Sequence, residues 1–392
     1  MNTTAQVYTM GGLRTPIGVY NGQYKYIRPE LLGAALLNEL FEREYKADEI
    51  ICGNAVGTGG NIGRLMSLYS SYGMKTPAYT LDMQCASGGL AIIQGYRALL
   101  SGQAEYILAG GIESSSLQPL RTYDERDSRD GSYMVAQFSP HTNSAYTMIE
   151  GAEAVGLRYS MTKSELDRHA LRSHTLAAEA KEKDVLHSVI VEEQTLKSRL
   201  APLLRENLSS QTSVDKVLDK QFVDESIRAR ISSKLLNRMP FILEGSHLLT
   251  AGNTCFTHDG AAFVGLSLTP GPFRIVDTLI WSGDPRYSPE GAWRSTEALL
   301  EKNNLSMDAI DAVEWNEAFA VIDVLFERNY GDHMEKYNSL GGGLAYGHPY
   351  GCSGAMNVLH LMSALEQRNG RYGVAAVAGA GGMGTAILLE RQ

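Results

Sequence analysis

Apolar positions along the chain follow one plan twice. In the first occurrence, a β-like run from Tyr79 to Met83 leads into the small-residue turn Cys85-Ala86-Ser87-Gly88-Gly89. A helical spacing through Leu90, Ile93, Tyr96 and Leu100 follows, and then a second β-like run, Tyr106-Ile107-Leu108-Ala109-Gly110-Gly111. The second occurrence keeps the order. His348-Pro349-Tyr350-Gly351-Cys352-Ser353-Gly354 precedes a helical spacing through Val358, Leu361 and Leu365, and the run Gly373 to Gly379 closes it. Each region also has an opening strand, Gln6 to Met10 and Arg274 to Thr278, the latter just after the break Pro270-Gly271-Pro272. The pattern predicts an internally duplicated α/β fold in which each half brings one turn to a shared site.

Between the two regions, residues 119–250 carry more charge. A helical pattern runs from Glu165 to Lys183, and the stretches near 121–145 and 200–220 are poorly periodic. This segment reads as an insertion placed over the strand ends, where α/β proteins gather ligands.

Composition narrows the function classes. A chain of 392 residues is long enough for two core-forming units, and no run approaches the ~20 apolar residues that a membrane span needs. A formal charge of −9 argues against nonspecific binding to nucleic acid or anionic membranes, and a soluble, cytoplasmic protein is expected. An anionic ligand then needs a local basic patch, and the densest runs from Arg205 through Lys216, Lys220, Arg228, Arg230 and Lys234 to Arg238, although a solvated helix face gives the same pattern. The four cysteines, Cys52, Cys85, Cys255 and Cys352, form no CxxC pair, so neither a disulfide framework nor a metal site is expected.

Cys85 precedes a helix that opens with small residues. A helix amino terminus lowers a thiol's pKa, and backbone N–H groups there can bind a developing oxyanion; a small core residue is the other reading. The glycine-rich turn around His348 exposes an imidazole able to take a proton from a thiol, or holds a histidine that bonds to the local backbone.

Several ordered motifs resemble the thiolase family across essentially the whole chain. The segment Asn338 to Gly354 is similar to the family's Asn-x-x-Gly-Gly…Gly-His-Pro…Gly pattern, and Arg14-Thr15-Pro16-Ile17-Gly18 to its opening motif. Further similarities are Cys85-Ala86-Ser87-Gly88, Gly110-Gly111-Ile112-Glu113-Ser114, Leu171-Arg172-Ser173-His174, Thr250-Ala251-Gly252-Asn253 with Asp259-Gly260-Ala261, and Asn316-Glu317-Ala318-Phe319.

The resemblance implies a duplicated thiolase-type core in α-β-α-β-α layers. Its halves would be residues 1–118 plus 251–270 and residues 271–392, with an inserted loop domain at 119–250. It implies an acetyl-CoA C-acetyltransferase-like enzyme of lipid metabolism in which Cys85 attacks an acyl-CoA thioester, His348 takes its proton, and Asn316 completes the site by holding a water that forms one oxyanion hole with His348. The backbone N–H groups of Cys85 and Ala380 would form a second oxyanion hole, and Met148, Ala251, Cys255, Ala318 and Phe319 would contact the pantetheine arm. Coenzyme A enters as a substrate, with no permanently bound cofactor, and a homodimer or homotetramer is expected.

One departure bears on the reaction. The family's closing Cys-x-Gly supplies a second cysteine as base, whereas this chain has Ala378-Gly379-Ala380 before Gly381-Gly382-Met383-Gly384. Two alternatives therefore stand beside condensation: an acyl-CoA hydrolase or acyl transfer enzyme without efficient carbon–carbon bond formation, and a noncatalytic acyl-CoA-binding protein. Cys352, four residues after His348, is either a substitute base or packing. Smaller departures fall at Asp82, Gly89 and Cys255.

Overall fold

The computed structural model describes residues 5–140, 144–208 and 212–392. In chain order the first half contributes β1 (Val7–Arg14), α1 (Pro29–Glu42), β2 (Glu49–Gly53), β3 (Ala78–Leu81), α2 (Ser87–Leu100) and β4 (Tyr106–Glu113). The intervening segment carries α3 (Thr147–Arg158), α4 (Lys163–Glu182) and α5 (Glu193–Asn207), after which β5 (His258–Ser267) returns to the first half. The second half holds β6 (Phe273–Ser282), α6 (Gly291–Lys302), β7 (Ala312–Trp315), α7 (Ala320–Tyr330), α8 (Tyr350–Arg368), β8 (Tyr372–Gly379) and β9 (Met383–Arg391).

The strands pair in the order β7-β8-β9-β6-β1-β5-β4-β2-β3. Read outward from the β6–β1 seam, the two sides match: β1 answers β6, β5 answers β9, β4 answers β8, and β2 answers β7. Three antiparallel residue pairs close the seam, Val7 with Ile275, Tyr8 with Arg274 and Thr9 with Phe273. The duplication expected from the apolar pattern is therefore visible in the pairing itself. Strand β5 enters between β1 and β4, and on that ground we propose the first half as residues 1–118 plus 251–270, the insertion as 119–250 and the second half as 271–392.

Helices α2 and α8 form a shared layer against strands of both halves, while α1 covers the first half from outside and α6 the second. Burial follows from this arrangement. Every residue of α8 from Gly351 to Leu365 is buried, as a helix needs when sheet or helix covers all its faces. The two central helices meet through glycine. A methyl group on Gly354 would lie 2.2 Å from the backbone nitrogen of Gly89, and one on Gly88 would lie 2.9 Å from the carbonyl oxygen of Gly351. Backbones approach this closely only where side chains are missing.

The stretch 200–220, poorly periodic in sequence, contains the end of α5. Leu196, Leu200, Leu203 and Leu204 keep helical spacing and are buried, and Pro202 inside the helix masks the pattern. No helix among the described residues is long and apolar enough to cross a membrane.

Candidate active site

Cys85 sits in a single 3₁₀ turn, Gln84–Ala86, between the end of β3 and the start of α2. Local bonds hold this turn in an unusual shape. Gln84 has φ of 53°, a left-handed conformation that costs a non-glycine residue about 1–2 kcal/mol. Asp82 Oδ1 accepts from the Gln84 N–H at 2.8 Å, while Ser87 Oγ accepts from the Met83 N–H at 2.8 Å and donates to the Gln84 carbonyl at 2.7 Å. The backbone N–H groups of Cys85 and Ala380 lie beside the Cys85 sulfur and favour its thiolate.

The sequence led us to expect a lowered thiol pKa at this helix end. Burial reverses the sign. Cys85 is 5% exposed, and removal from water pushes its thiol up to about 12, with the Glu113 and Asp82 charges adding to the rise and the two nearby backbone N–H groups only moderating it.

His348 occupies the equivalent place at the start of α8 and is 1% exposed. Burial and the neighbouring His258 push its imidazole down to about 3, so it stands uncharged at neutral pH. Its tautomer follows from its neighbours. Ser353 Oγ donates its one hydrogen to the Pro349 carbonyl at 2.9 Å, and so accepts from His348 Nδ1–H at 2.7 Å. That leaves Nε2 unprotonated, with its lone pair facing the donor Asn316 Nδ2 at 3.2 Å. Asn316 is fully buried, and its Oδ1 has no hydrogen-bond partner among the described residues.

The two turns are linked by Tyr350 and by the glycine contact. The Tyr350 ring lies 4.7 Å from the His348 ring, centroid to centroid, and packs against the buried cluster of Cys85, Ala86 and Val377. Glu113, at the end of β4, ties the halves together from beneath. Its carboxyl accepts from Asn54 Nδ2 at 2.8 Å and from the N–H groups of Ala55 at 2.9 Å, Val56 at 3.2 Å and Gly351 at 2.9 Å. Burial raises Glu113 to about 7 despite these four donors.

A cavity of about 280 Å³ opens onto the thiol; Cys85, Met148, Cys255, Phe319, Tyr350 and Ala380 are among its lining residues. A second cavity of about 220 Å³ adjoins it, and Arg228, Ser226 and Ala251 are among the residues around that one. The two share the ribbon Thr254 to Thr257, which bridges to Phe319 at one end and to His348 at the other.

Of the residues expected at a pantetheine arm, Met148, Cys255 and Phe319 line the first cavity and Ala251 the second. Ala318 lines neither, but its carbonyl accepts from the Cys255 N–H at 2.9 Å. Ala378 is buried on β8, two residues before Ala380, and lines neither cavity. Cys352 packs into the central hydrophobic core and lines neither. Sequence reasoning passed over Ser353, Tyr350 and Glu113. Ser353 stands five residues after His348, on the first turn of the helix that the histidine precedes, so the spacing held a signal for it; Glu113 and Tyr350 gave none without the fold.

With this geometry in hand, comparison with known proteins is specific. The thiolase N-terminal domain model matches residues 7–267 and the thiolase C-terminal domain model residues 273–391. VraB of Staphylococcus epidermidis, named as a candidate acetyl-CoA C-acetyltransferase, is 31% identical, covering 96% of each chain. The acetyl-CoA acetyltransferase of Bacillus anthracis superposes with a TM-score of 0.88 at 27% identity over 100% of both chains. Human mitochondrial 3-ketoacyl-CoA thiolase, solved in complex with CoA, gives 0.84 at 25% identity over 99% of this chain and 98% of that one.

Proposed function

The chain belongs to the thiolase family and is an acyltransferase, and from that premise we propose that it acts on acyl-CoA thioesters through an acyl-enzyme on Cys85, as an acetyl-CoA C-acetyltransferase-type enzyme. The observation that carries this reading is a cavity that Cys85 and Ala380 line together, with the backbone N–H groups of both residues beside the Cys85 sulfur and available to the carbonyl oxygen of a thioester that it attacks. Donors already in place where negative charge develops stabilise a tetrahedral intermediate without reorganisation.

In this mechanism both reacting groups start uncharged, as thiol and free imidazole. Proton transfer from Cys85 to His348 Nε2 accompanies attack on the thioester carbonyl, and the Ser353 bond fixes Nε2 as the unprotonated ring nitrogen. Asn316 holds the imidazole from the other side and, by the family resemblance, orients a water with it. The second cavity, with Arg228 at its rim, suits the pantetheine arm and the anionic end of coenzyme A. Assembly as a homodimer or homotetramer and a cytoplasmic location belong to the same proposal.

Incubation with acetyl-CoA, followed by intact mass measurement, tests the reading. An acetyl adduct on the protein that is absent from Cys85→Ser is expected, together with CoA release; no adduct would defeat it. Ala378 favours a second reading, acyl transfer to thiols or water without condensation, because alanine cannot move a proton. An adduct with no acetoacetyl-CoA formed in either direction would select that reading, and Ala378→Cys should then raise condensation.

A further inference from the structure

Transfer of an acetyl group to carbon needs a base that removes a proton beside the acceptor's thioester carbonyl, because the carbanion so formed is what attacks the acyl-enzyme. Besides His348, which takes the Cys85 proton and lines neither cavity, the candidates are the groups at the wall of the Cys85 cavity. Among its described lining residues, the side chains with an exchangeable proton of the ionisable kind are Cys85, Cys255, Arg121, Tyr146 and Tyr350. Cys85 carries the acyl group. Arg121 donates to the Gly57 carbonyl, and a guanidinium does not give up its proton in proteins. Tyr146 is 53% exposed, and the Tyr350 ring is packed against the His348 ring and the Cys85 cluster, with a phenol whose ordinary pKa already lies above that of a thiol. Cys255 remains.

Its position fits the task. Cys255 lies in the ribbon shared by the two cavities, so a pantetheine arm running from one to the other passes it next to the thioester. Its N–H is anchored on the Ala318 carbonyl at 2.9 Å, and its S–H donates to the Gly343 carbonyl at 2.9 Å. Gly343 in turn borders Asn316, whose Oδ1 would stand 3.1 Å from a methyl group placed there. The thiol is thus held at the junction of the Asn316 loop, the His348 loop and the Cys85 cavity.

Building on the acyl-enzyme reading above, we propose that Cys255 is the second proton-transfer residue, acting first as acid and then as base. In the first half-reaction Cys85 forms its bond to the acyl carbon and passes its proton to His348, while the departing CoA thiolate takes the proton of Cys255. In the second half-reaction the Cys255 thiolate removes a proton from the methyl of the incoming acetyl-CoA. The carbanion then attacks the acyl carbon, the bond to Cys85 breaks, and the Cys85 thiolate recovers its proton from His348. Both thiols end as they began. Burial, with the charge of Glu317, holds the resting thiol protonated, in keeping with acid first.

The test follows deuterium entering the methyl group of acetyl-CoA in heavy water, beside the mass of the Cys85 adduct, in the unsubstituted protein and in Cys255→Ser and Cys255→Ala. An aryl thioester, whose leaving group needs no proton, loads Cys85 in all three. The expected result is an intact adduct with deuterium entry reduced about a hundredfold or more in both variants, the scale of a lost general base. Entry at the unsubstituted rate in either loaded variant would overturn the proposal, as would an unsubstituted protein that acylates but never exchanges. Failure of both variants to load from the aryl thioester would assign Cys255 a structural role instead. Absence of an adduct on the unsubstituted protein would defeat the acyl-enzyme reading itself, a distinct failure.

Discussion

With the thiol of Cys85 near 12 and the imidazole of His348 near 3, neither group ionises between pH 5 and 10. The rate of Cys85 acylation should therefore lack the bell shape of a thiolate–imidazolium pair. Glu113, near 7, bonds to the first turn of α8 and titrates inside that window. Any inflection near neutrality should vanish in Glu113→Gln, which pre-steady-state acylation across pH reads directly. The same residue sets a stability trend. Its folded pKa is raised from 4.5, so the stabilisation from its bound proton is complete below pH 4.5 and is lost as pH rises through 7. Between those limits the unsubstituted protein should lose roughly 3 kcal/mol relative to Glu113→Gln, at 1.36 kcal/mol per pKa unit, as measured by urea unfolding at pH 4.5 and pH 8. Glu113 was legible only as part of a glycine-rich strand end, because its partners at 54–56 and 351 are remote in sequence and meet through folding alone.

At the scale of elements, the contact between α2 and α8 carries the site. Gly354→Ala would drive a methyl group against the backbone of Gly89, which cannot rotate away as a side chain can. Overpacking of this kind costs about 1–3 kcal/mol or more, and here it should also separate the Cys85 and His348 turns. Acylation should fall by more than the loss of folded protein explains, as a comparison of adduct yield with the folded fraction from circular dichroism would reveal. The two turns and their following helices were readable from the chain, since glycine and proline punctuate strong 3.6-residue periodicity. The direction of the Cys85 pKa shift was not. A helix end is a local feature that sequence encodes, whereas desolvation depends on what the rest of the chain stacks on top. The helical part of 200–220 escaped for a simpler reason, Pro202 in the middle of an amphipathic turn.

At the scale of the whole molecule, one buried ion pair fastens the insertion to both halves. Arg14, fully buried at the end of β1, binds Asp224 through two bonds of 2.8 Å and donates through Nε to His360 of α8 at 3.0 Å. Removing one member of such a pair strands the other charge in the interior. Asp224→Ala should cost about 3–5 kcal/mol, measured by chemical denaturation. The sequence marked Arg14 as part of an opening motif, but Asp224 sits in a stretch without periodicity, and its partnership became apparent only with the fold. The mirror order of strands about the β6–β1 seam has a consequence for biogenesis. In the proposed mechanism the nucleophile comes from one repeat and its imidazole from the other, so a nascent polypeptide interrupted before the glycine-rich segment at 338–354 carries a thiol without that proton acceptor. Such truncated products should be inert toward acyl-CoA, which spares the cell a partial catalyst that consumes thioesters unproductively.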